Sequence, residues 1–174
     1  MEKLINDAKR GDERAFTMLI LNYQQELYKI ALTRLKTKYD IDEAIQETMI
    51  SAFKNIKKLK ENEKFKSWII KILINKCNDI YRKNKKNIMS IEEMSKECIS
   101  TEIDSKIGSK LDFYDIIKQL NEEEKTIVIL YYSDKFTTKE IGKILNKNEN
   151  TVKTIIHRIK IKLRNNYNRF LETN

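Results

Sequence analysis

A chain of 174 residues with 40% hydrophobic content, no proline and three glycines has enough apolar material for one medium or two small cores and few turn-formers, which favours helices joined by short polar connections. Its two cysteines, Cys77 and Cys98, stand in no C-x-x-C or Cys/His spacing, which argues against a zinc site or a disulfide framework. The net charge of +9 indicates a polyanionic partner, and with no membrane-length apolar run and a polar N-terminal segment a cytoplasmic protein is expected.

From the N-terminus, Ala15, Phe16, Leu19, Ile20 and Tyr23 recur at helical spacing, and Leu27, Ile30, Ala31 and Leu35 continue the same apolar stripe. Helix is predicted over most of residues 1–36. From Ile41 the positions 41, 44, 45, 48, 49, 52, 53 and 56 follow the i, i+3, i+4, i+7 pattern at every step, which predicts a strong amphipathic helix. Phe65, Trp68, Ile69, Ile72, Leu73, Cys77, Ile80 and Tyr81 form a third stripe, interrupted by Lys76; this suggests a helix that is partly core and partly contact surface. Trp68 lies on that stripe, which favours core packing over base stacking, and Cys77 reads as a small core residue. Residues 84–110 lose the periodicity and are rich in Ser, Asn, Lys and Glu. They read as an interdomain connection in which Ser90 to Glu93 can cap a short helix.

The apolar pattern restarts with Leu111, Ile116, Ile117 and Leu120, and Asn121 with Glu124 predicts an N-cap opening a helix through Tyr132. Thr137-x-x-Glu140 is a capping box for a helix that buries Ile141, Ile144 and Leu145. After the polar break Asn146-Lys147-Asn148, a long final helix capped by Asn148 or Asn150 buries Val152, Ile155, Ile156, Ile159 and Leu163. Two helices across so short a turn form a helix-turn-helix unit, whose second helix lies in the major groove with its outward residues at base edges. Here the outward face holds Asn150, Lys153, Thr154, His157, Arg158, Ile161 and Arg164. His157, the one histidine of the chain, has no Cys, Asp or Glu at ligand spacing and reads as a DNA contact, not a metal ligand or base.

Charge is segregated along the chain. Lys54 to Lys86 contains twelve Lys and Arg against the acids Glu61, Glu63 and Asp79, and Glu149 to Arg169 has six cations against Glu149 alone. Between Tyr39 and Phe53 the sign reverses, with Asp40, Asp42, Glu43 and Glu47 and no cation. Basic and acidic surfaces of this kind can serve different partners.

The blocks GDERAF, LILNYQQELYKIA, DIDEAIQETMISAFKNI and FKSWIIKILINKCNDIYRKNKK resemble region 2 of the extracytoplasmic-function sigma factors of bacterial RNA polymerase. LNEEEKTIVILYYSDKFTTKEIGKILNKNENTVKTIIHRIKIKLR resembles their region 4. The resemblance covers nearly the whole chain outside the connecting segment, in order. It implies an all-α fold of two small helical domains joined by a flexible linker: residues 1–86 as a region 2 bundle, 87–110 as the linker and 111–174 as a region 4 helix-turn-helix.

The resemblance also implies roles. Asp42, Glu43, Gln46, Glu47 and Ile50 align with the segment that docks on core RNA polymerase. Asn62, Glu63 and Lys64 fall in the loop that captures an extruded base of the minus-10 element, and Lys66, Lys71, Asn75, Lys76, Asp79 and Arg82 lie on the following helix, where a cationic surface and stacking offset the cost of unpairing. Lys153, Thr154, His157 and Arg158 match positions that read the minus-35 element, with Thr138, Lys139, Lys160 and Arg164 as phosphate contacts. His157 and Ile161 stand where larger cationic or aromatic residues would be unsurprising, so the preferred minus-35 sequence stays open. The implied partners are core RNA polymerase, promoter DNA and an anti-sigma factor, often membrane-anchored, that would hold the protein at the inner face of the membrane. No cofactor, metal or small-molecule substrate is implied. A free-standing helix-turn-helix regulator would explain residues 111–174 equally well but leaves the acidic helix without a purpose. An enzyme acting on nucleic acid lacks any visible nucleotide-binding glycine loop, metal cluster or activated nucleophile.

Overall fold

The structure, a computed structural model, describes residues 1–88 and 120–173. Every regular element among the described residues is helical. The chain divides into two compact units, Met1–Ile99 and Ser100–Asn174. The expected linker beyond its first two residues, the cap at Ser90, Cys98 and the apolar positions Leu111, Ile116 and Ile117 lie outside the described residues.

In the first unit, the stripe that predicts helix over most of residues 1–36 is cut into α1 (Glu2–Lys9), α2 (Glu13–Leu21) and α3 (Gln24–Leu32). The first break sits at Gly11, whose φ of +98° lies in the left-handed region open to glycine, followed by Asp12, whose carboxylate accepts from the Ala15 amide at 3.0 Å. Helix α4 (Lys38–Asn55) begins three residues before the apolar pattern does, because Thr37 caps it through the Asp40 amide at 3.0 Å. Two short 3₁₀ turns, Ile56–Lys58 and Asn62–Lys64, lead into α5 (Phe65–Ile88). Helix α4 packs along α5, α3 packs against both, and α1 packs on α2 and on the two turns.

Helix α5 is the centre of this unit, and its buried face is rotated relative to the expected stripe, toward Ile70 and Ile74. Phe65, Ile69, Ile70, Leu73, Ile74, Cys77 and Ile80 are all buried, each worth about 1.5–3 kcal/mol if a large aliphatic or aromatic side chain. Trp68, Ile72 and Lys76 sit at the border of that face, half-buried, and Tyr81 is exposed. The core placement expected of Trp68 is therefore only partial: it packs at a tilt on Phe65, ring centroids 5.8 Å apart, and is half-buried. Cys77 is core, and burial pushes its thiol up to about 12, so it is unreactive near neutrality.

In the second unit, α6 (Glu122–Val128) opens on a complete capping box: Asn121 accepts from the Glu124 amide at 2.8 Å and Glu124 accepts from the Asn121 amide at 3.1 Å. The helix expected through Tyr132 stops being α-helical at Val128 and ends in a π-helical turn, Ile129–Ser133. That turn closes because the Asp134 amide donates back to Ile129 at 3.0 Å and the Phe136 amide to Leu130 at 2.9 Å, with Lys135 at φ 60°. Helix α7 (Thr138–Leu145) has its capping box at Thr137 and Glu140, and Asn146 ends it in the left-handed conformation. Asn148 is the cap of α8 (Glu149–Thr173), accepting from the Asn150 amide at 2.9 Å. Ile127, Leu130, Ile141, Val152 and Ile159 form the centre of this core.

Candidate polymerase and nucleic-acid interfaces

The acidic segment resolves into an inner and an outer set. Asp40 is buried, and both its carboxylate oxygens accept from the Asn84 side chain at 3.1 Å, so it belongs to the α4–α5 contact. Glu43 and Glu47 point along the flank of α4 toward α5, paired with Lys83 at 3.6 Å and Lys76 at 3.0 Å. Asp42, Gln46 and Ile50, one helical turn apart, are exposed. All five residues expected to dock on the polymerase thus share the outer half of α4.

The same half carries side chains that periodicity assigns to the core. Phe53 is 39% exposed, and Ile45 and Met49 line an apolar groove with Phe16, Ile20, Leu21 and Leu27 of α2 and α3; Tyr39, before the stripe begins, is exposed as well. An amphipathic stripe as broad as that of α4 cannot be covered by α3 and α5 alone. The surplus faces outward beside the acids, and the exposed Leu21 and Met18 extend it. A surface of this makeup, apolar at its centre with an anionic rim, suits a helical partner with cationic edges.

On α5, the 100° advance per residue sets Lys71, Asn75, Asp79 and Arg82 on one outward face with Trp68 and Ile72 between them. Asp79 and Arg82 pair at 3.6 Å. The arrangement joins cations and donors to an aromatic ring, the components single-stranded nucleic acid requires. Lys76 lies at the edge of this face, and Lys66 lies on the opposite flank, bound to Glu26 of α3 at 2.9 Å. The structure therefore does not bring Lys66 to the other α5 residues. In the preceding loop Glu63 and Lys64 are exposed, Lys64 pairing with Glu61, whereas Asn62 is half-buried and its amide is engaged by Asn6 and Lys9 of α1.

In the second unit the buried stripe Val152, Ile155, Ile156 and Ile159 turns Asn150, Lys153, Thr154, His157, Arg158, Ile161 and Arg164 outward, all exposed. Lys160 is also exposed and its ammonium lies 6.0 Å from the Tyr131 ring centroid. Lys139 is exposed and Thr138 half-buried at the start of α7. The two helices are tied at this end by Glu149, whose Oε1 accepts from Thr138 Oγ1 at 3.0 Å and from Lys153 Nζ at 2.8 Å. These bonds hold the Glu149 carboxyl below its ordinary value. Among the described residues no group of His, Cys, Asp and Glu is placed to hold a metal ion, and no helix is long and apolar enough to cross a membrane.

Another cation of α8, Lys162, is engaged within the unit: it bonds both oxygens of the buried Glu124 at 2.7 and 3.0 Å. Burial alone would raise the Glu124 carboxyl, but the Lys162 bond, the Asn121 amide and the charges of Lys162 and Arg158 outweigh it and leave the carboxyl below its ordinary value. A carboxyl depressed in the folded state adds stability above its unfolded value of 4.5 and loses that contribution as pH falls through its folded value. Glu140 is depressed likewise, first by the Thr137 hydroxyl and amide. We expect Glu124→Gln to cost about 1 kcal/mol at pH 7, since one partner of the ion pair is half-exposed. The difference from the parent chain should shrink below pH ~4.5. Denaturant melts at pH 7 and pH 3.5 measure it, and a pH-independent difference would show that the charge of Glu124 is not what ties α6 to α8.

Comparison with known proteins finds one family match in each unit. Residues 19–87 match the family Sigma-70 region 2, and residues 110–163 match Sigma-70, region 4. The chain is 28% identical to the ECF RNA polymerase sigma factor SigW of Bacillus subtilis, over 91% of each chain. It is 30% identical to the RNA polymerase sigma factor SigV of the same organism, over 86% of this chain and 89% of that protein. Among solved structures, it shares its fold with CnrH, solved in complex with the cytosolic domain of CnrY, at TM-score 0.66 and 18% identity over 99% of this chain and 97% of that one. It also shares its fold with the sigma factor RpoE of Bartonella quintana, solved with the anti-sigma factor NepR, at TM-score 0.69 and 17% identity over 88% of this chain and 96% of that one.

Proposed function

Because the chain belongs to the extracytoplasmic-function sigma factors of RNA polymerase, we propose that it binds core RNA polymerase through the outer half of α4 and directs initiation at promoters carrying matched minus-10 and minus-35 elements. The observation that carries this reading is the segregation of surfaces: an anionic and apolar face on α4, and cationic, donor-rich faces on α5 and α8. The loop before α5, with Lys71, Asn75, Asp79, Arg82 and Trp68, would open and hold the minus-10 strand. Thr138, Lys139, Lys153, Thr154, His157, Arg158, Lys160 and Arg164 would engage the minus-35 duplex. The chain contributes recognition and melting, and the chemistry of RNA synthesis remains the polymerase's. It acts in the cytoplasm, and an anti-sigma factor that covers the α4 and α8 faces, anchored at the inner membrane, would keep it inactive. A connection within residues 87–110 would leave the two units free to take different placements on polymerase and on an inhibitor.

Mixing the purified chain with core polymerase and a genomic promoter library tests the reading. Transcripts starting at defined promoters in its presence alone support it. Binding to an operator without any effect of core polymerase would instead favour a free-standing helix-turn-helix regulator.

Within the minus-35 face, Arg158 and Lys153 are expected to act differently. Both are exposed, so their truncation leaves the core packed. Arg158 has a planar donor fork suited to a guanine edge, a contact that contributes about 1–3 kcal/mol of discrimination. Lys153 is a point charge already held by Glu149, suited to phosphate. Arg158→Ala should relax preference at particular minus-35 positions, and Lys153→Ala should lower affinity evenly and flatten its salt dependence. Binding to a randomised minus-35 library at fixed salt decides this; an unchanged sequence preference in Arg158→Ala would sink the assignment.

A further inference from the structure

The loop between the 3₁₀ turn Ile56–Lys58 and α5 is anchored from outside the segment that matches region 2. Helix α1 ends at Lys9, ten residues before that match begins at residue 19. It packs on both 3₁₀ turns; its Ile5 and Ala8 are buried, as are Ile56 in the first turn and Leu59 just after it. Its polar side then meets Asn62. The Lys9 ammonium donates to Asn62 Oδ1, and Asn62 Nδ2 donates to Asn6 Oδ1 at 2.7 Å. Both ends of the Asn62 amide are therefore engaged: the carbonyl by a cation and the amino group by an acceptor, which also fixes which way the amide faces.

The resemblance places Asn62 with Glu63 and Lys64 as a base-capturing trio, and the geometry separates them. A side chain whose acceptor and donor are both engaged by one neighbouring helix must give up these bonds before it can read a base edge, and one of them is charge-assisted. Glu63 and Lys64 are exposed, and the Lys64 ammonium pairs with Glu61, its neighbour in the same loop. We propose that α1 is a clamp on the minus-10 loop, that Asn62 is a positioning residue through which Lys9 and Asn6 set the loop's shape, and that base contact falls to Glu63 and Lys64. The base-contact part rests on the loop being the minus-10 reader, as proposed above; the clamp itself does not.

The test has two readouts on the full chain. Hydrogen exchange of the free protein reports the clamp: in Lys9→Met and in Asn6→Ala the Lys64 amide, which closes the turn on Glu61 at 3.1 Å, should exchange about fivefold faster, from the loss of one hydrogen bond. Lys9→Arg keeps a cationic donor and should restore most of the protection. Transcription with core polymerase from a library randomised in the minus-10 element reports the role. Lys9→Met, Asn6→Ala and Asn62→Ala should broaden the preferred minus-10 sequence alike, the Lys9→Met/Asn62→Ala double variant being no worse than either single one. Association with core should be unchanged. Unchanged exchange at Lys64 in both α1 variants would overturn the clamp. Asn62→Ala shifting the preference at one base position while the α1 variants leave it intact would overturn the positioning role, because Asn62 would then be reading the base itself. Faster exchange with a minus-10 preference unaffected by Glu63→Ala and by all the α1 variants would instead remove the loop from minus-10 recognition.

Discussion

Replacing Asp42 and Gln46 together by lysine is expected to weaken association with core RNA polymerase by at least about tenfold, since like-charge juxtaposition at an interface costs several kcal/mol. Both residues are exposed on the outer half of α4. Lysine is a good helix former, so the helical content should not change. The choice of these two positions follows from the ion pairs of the neighbouring acids. Glu47 and Glu43 bond to Lys76 and Lys83 of α5, so a lysine at either would also disturb the contact between the two longest helices of the unit, and a loss of binding there would mix docking with folding. Asp42 and Gln46 separate the two. Affinity for core measured at two salt concentrations, with circular dichroism on the same samples, reads the effect: the deficit should narrow as salt screens it. Unaltered affinity for core would show that the polymerase docks elsewhere.

Gly142→Val should destabilise the second unit by about 2–3 kcal/mol, in the range of overpacking a tight contact. Gly142 lies inside α7, where a glycine ordinarily costs up to about 1 kcal/mol relative to alanine, so its presence needs a reason. A Cβ built on it would stand 2.7 Å from the carbonyl oxygen of Lys147 and 3.6 Å from the Glu149 amide. The obstruction is backbone, and the same Lys147 donates its own amide to the Gly142 carbonyl at 2.8 Å. The turn is pressed against α7 and cannot yield without changing the angle at which α8 leaves it. A side chain here should therefore reduce minus-35 affinity as well as stability, while the first unit keeps its melting transition and its affinity for core. Gly142→Ala, with one methyl, should fall between parent and valine variant. Equal stability of all three chains would mean that the turn relaxes freely and does not set the orientation of the reading helix.

Much of this molecule follows from local pattern. The capping boxes at Asn121–Glu124 and Thr137–Glu140 form as their spacing predicts, because each requires only a side chain reaching its own helix terminus three residues away. The buried stripe and outward face of α8 follow from period alone, since one side of that helix packs and the other does not. The broad charge reversal between α4 and the flanking basic segments is likewise a property of composition. What pattern could not decide is where a stripe wider than one contact ends. Whether Met49 and Phe53 are core or surface depends on how much of α4 its neighbours cover, and that is a matter of three-dimensional packing. The same holds for charge. Asp40, Lys66 and Lys162 look in sequence like the acids and cations beside them, yet each is turned to a partner 38 to 44 positions away, Asn84, Glu26 and Glu124 respectively. Long-range pairing of this sort leaves no periodic trace, so only the tertiary structure could separate the charges that act within each unit from those left facing a partner.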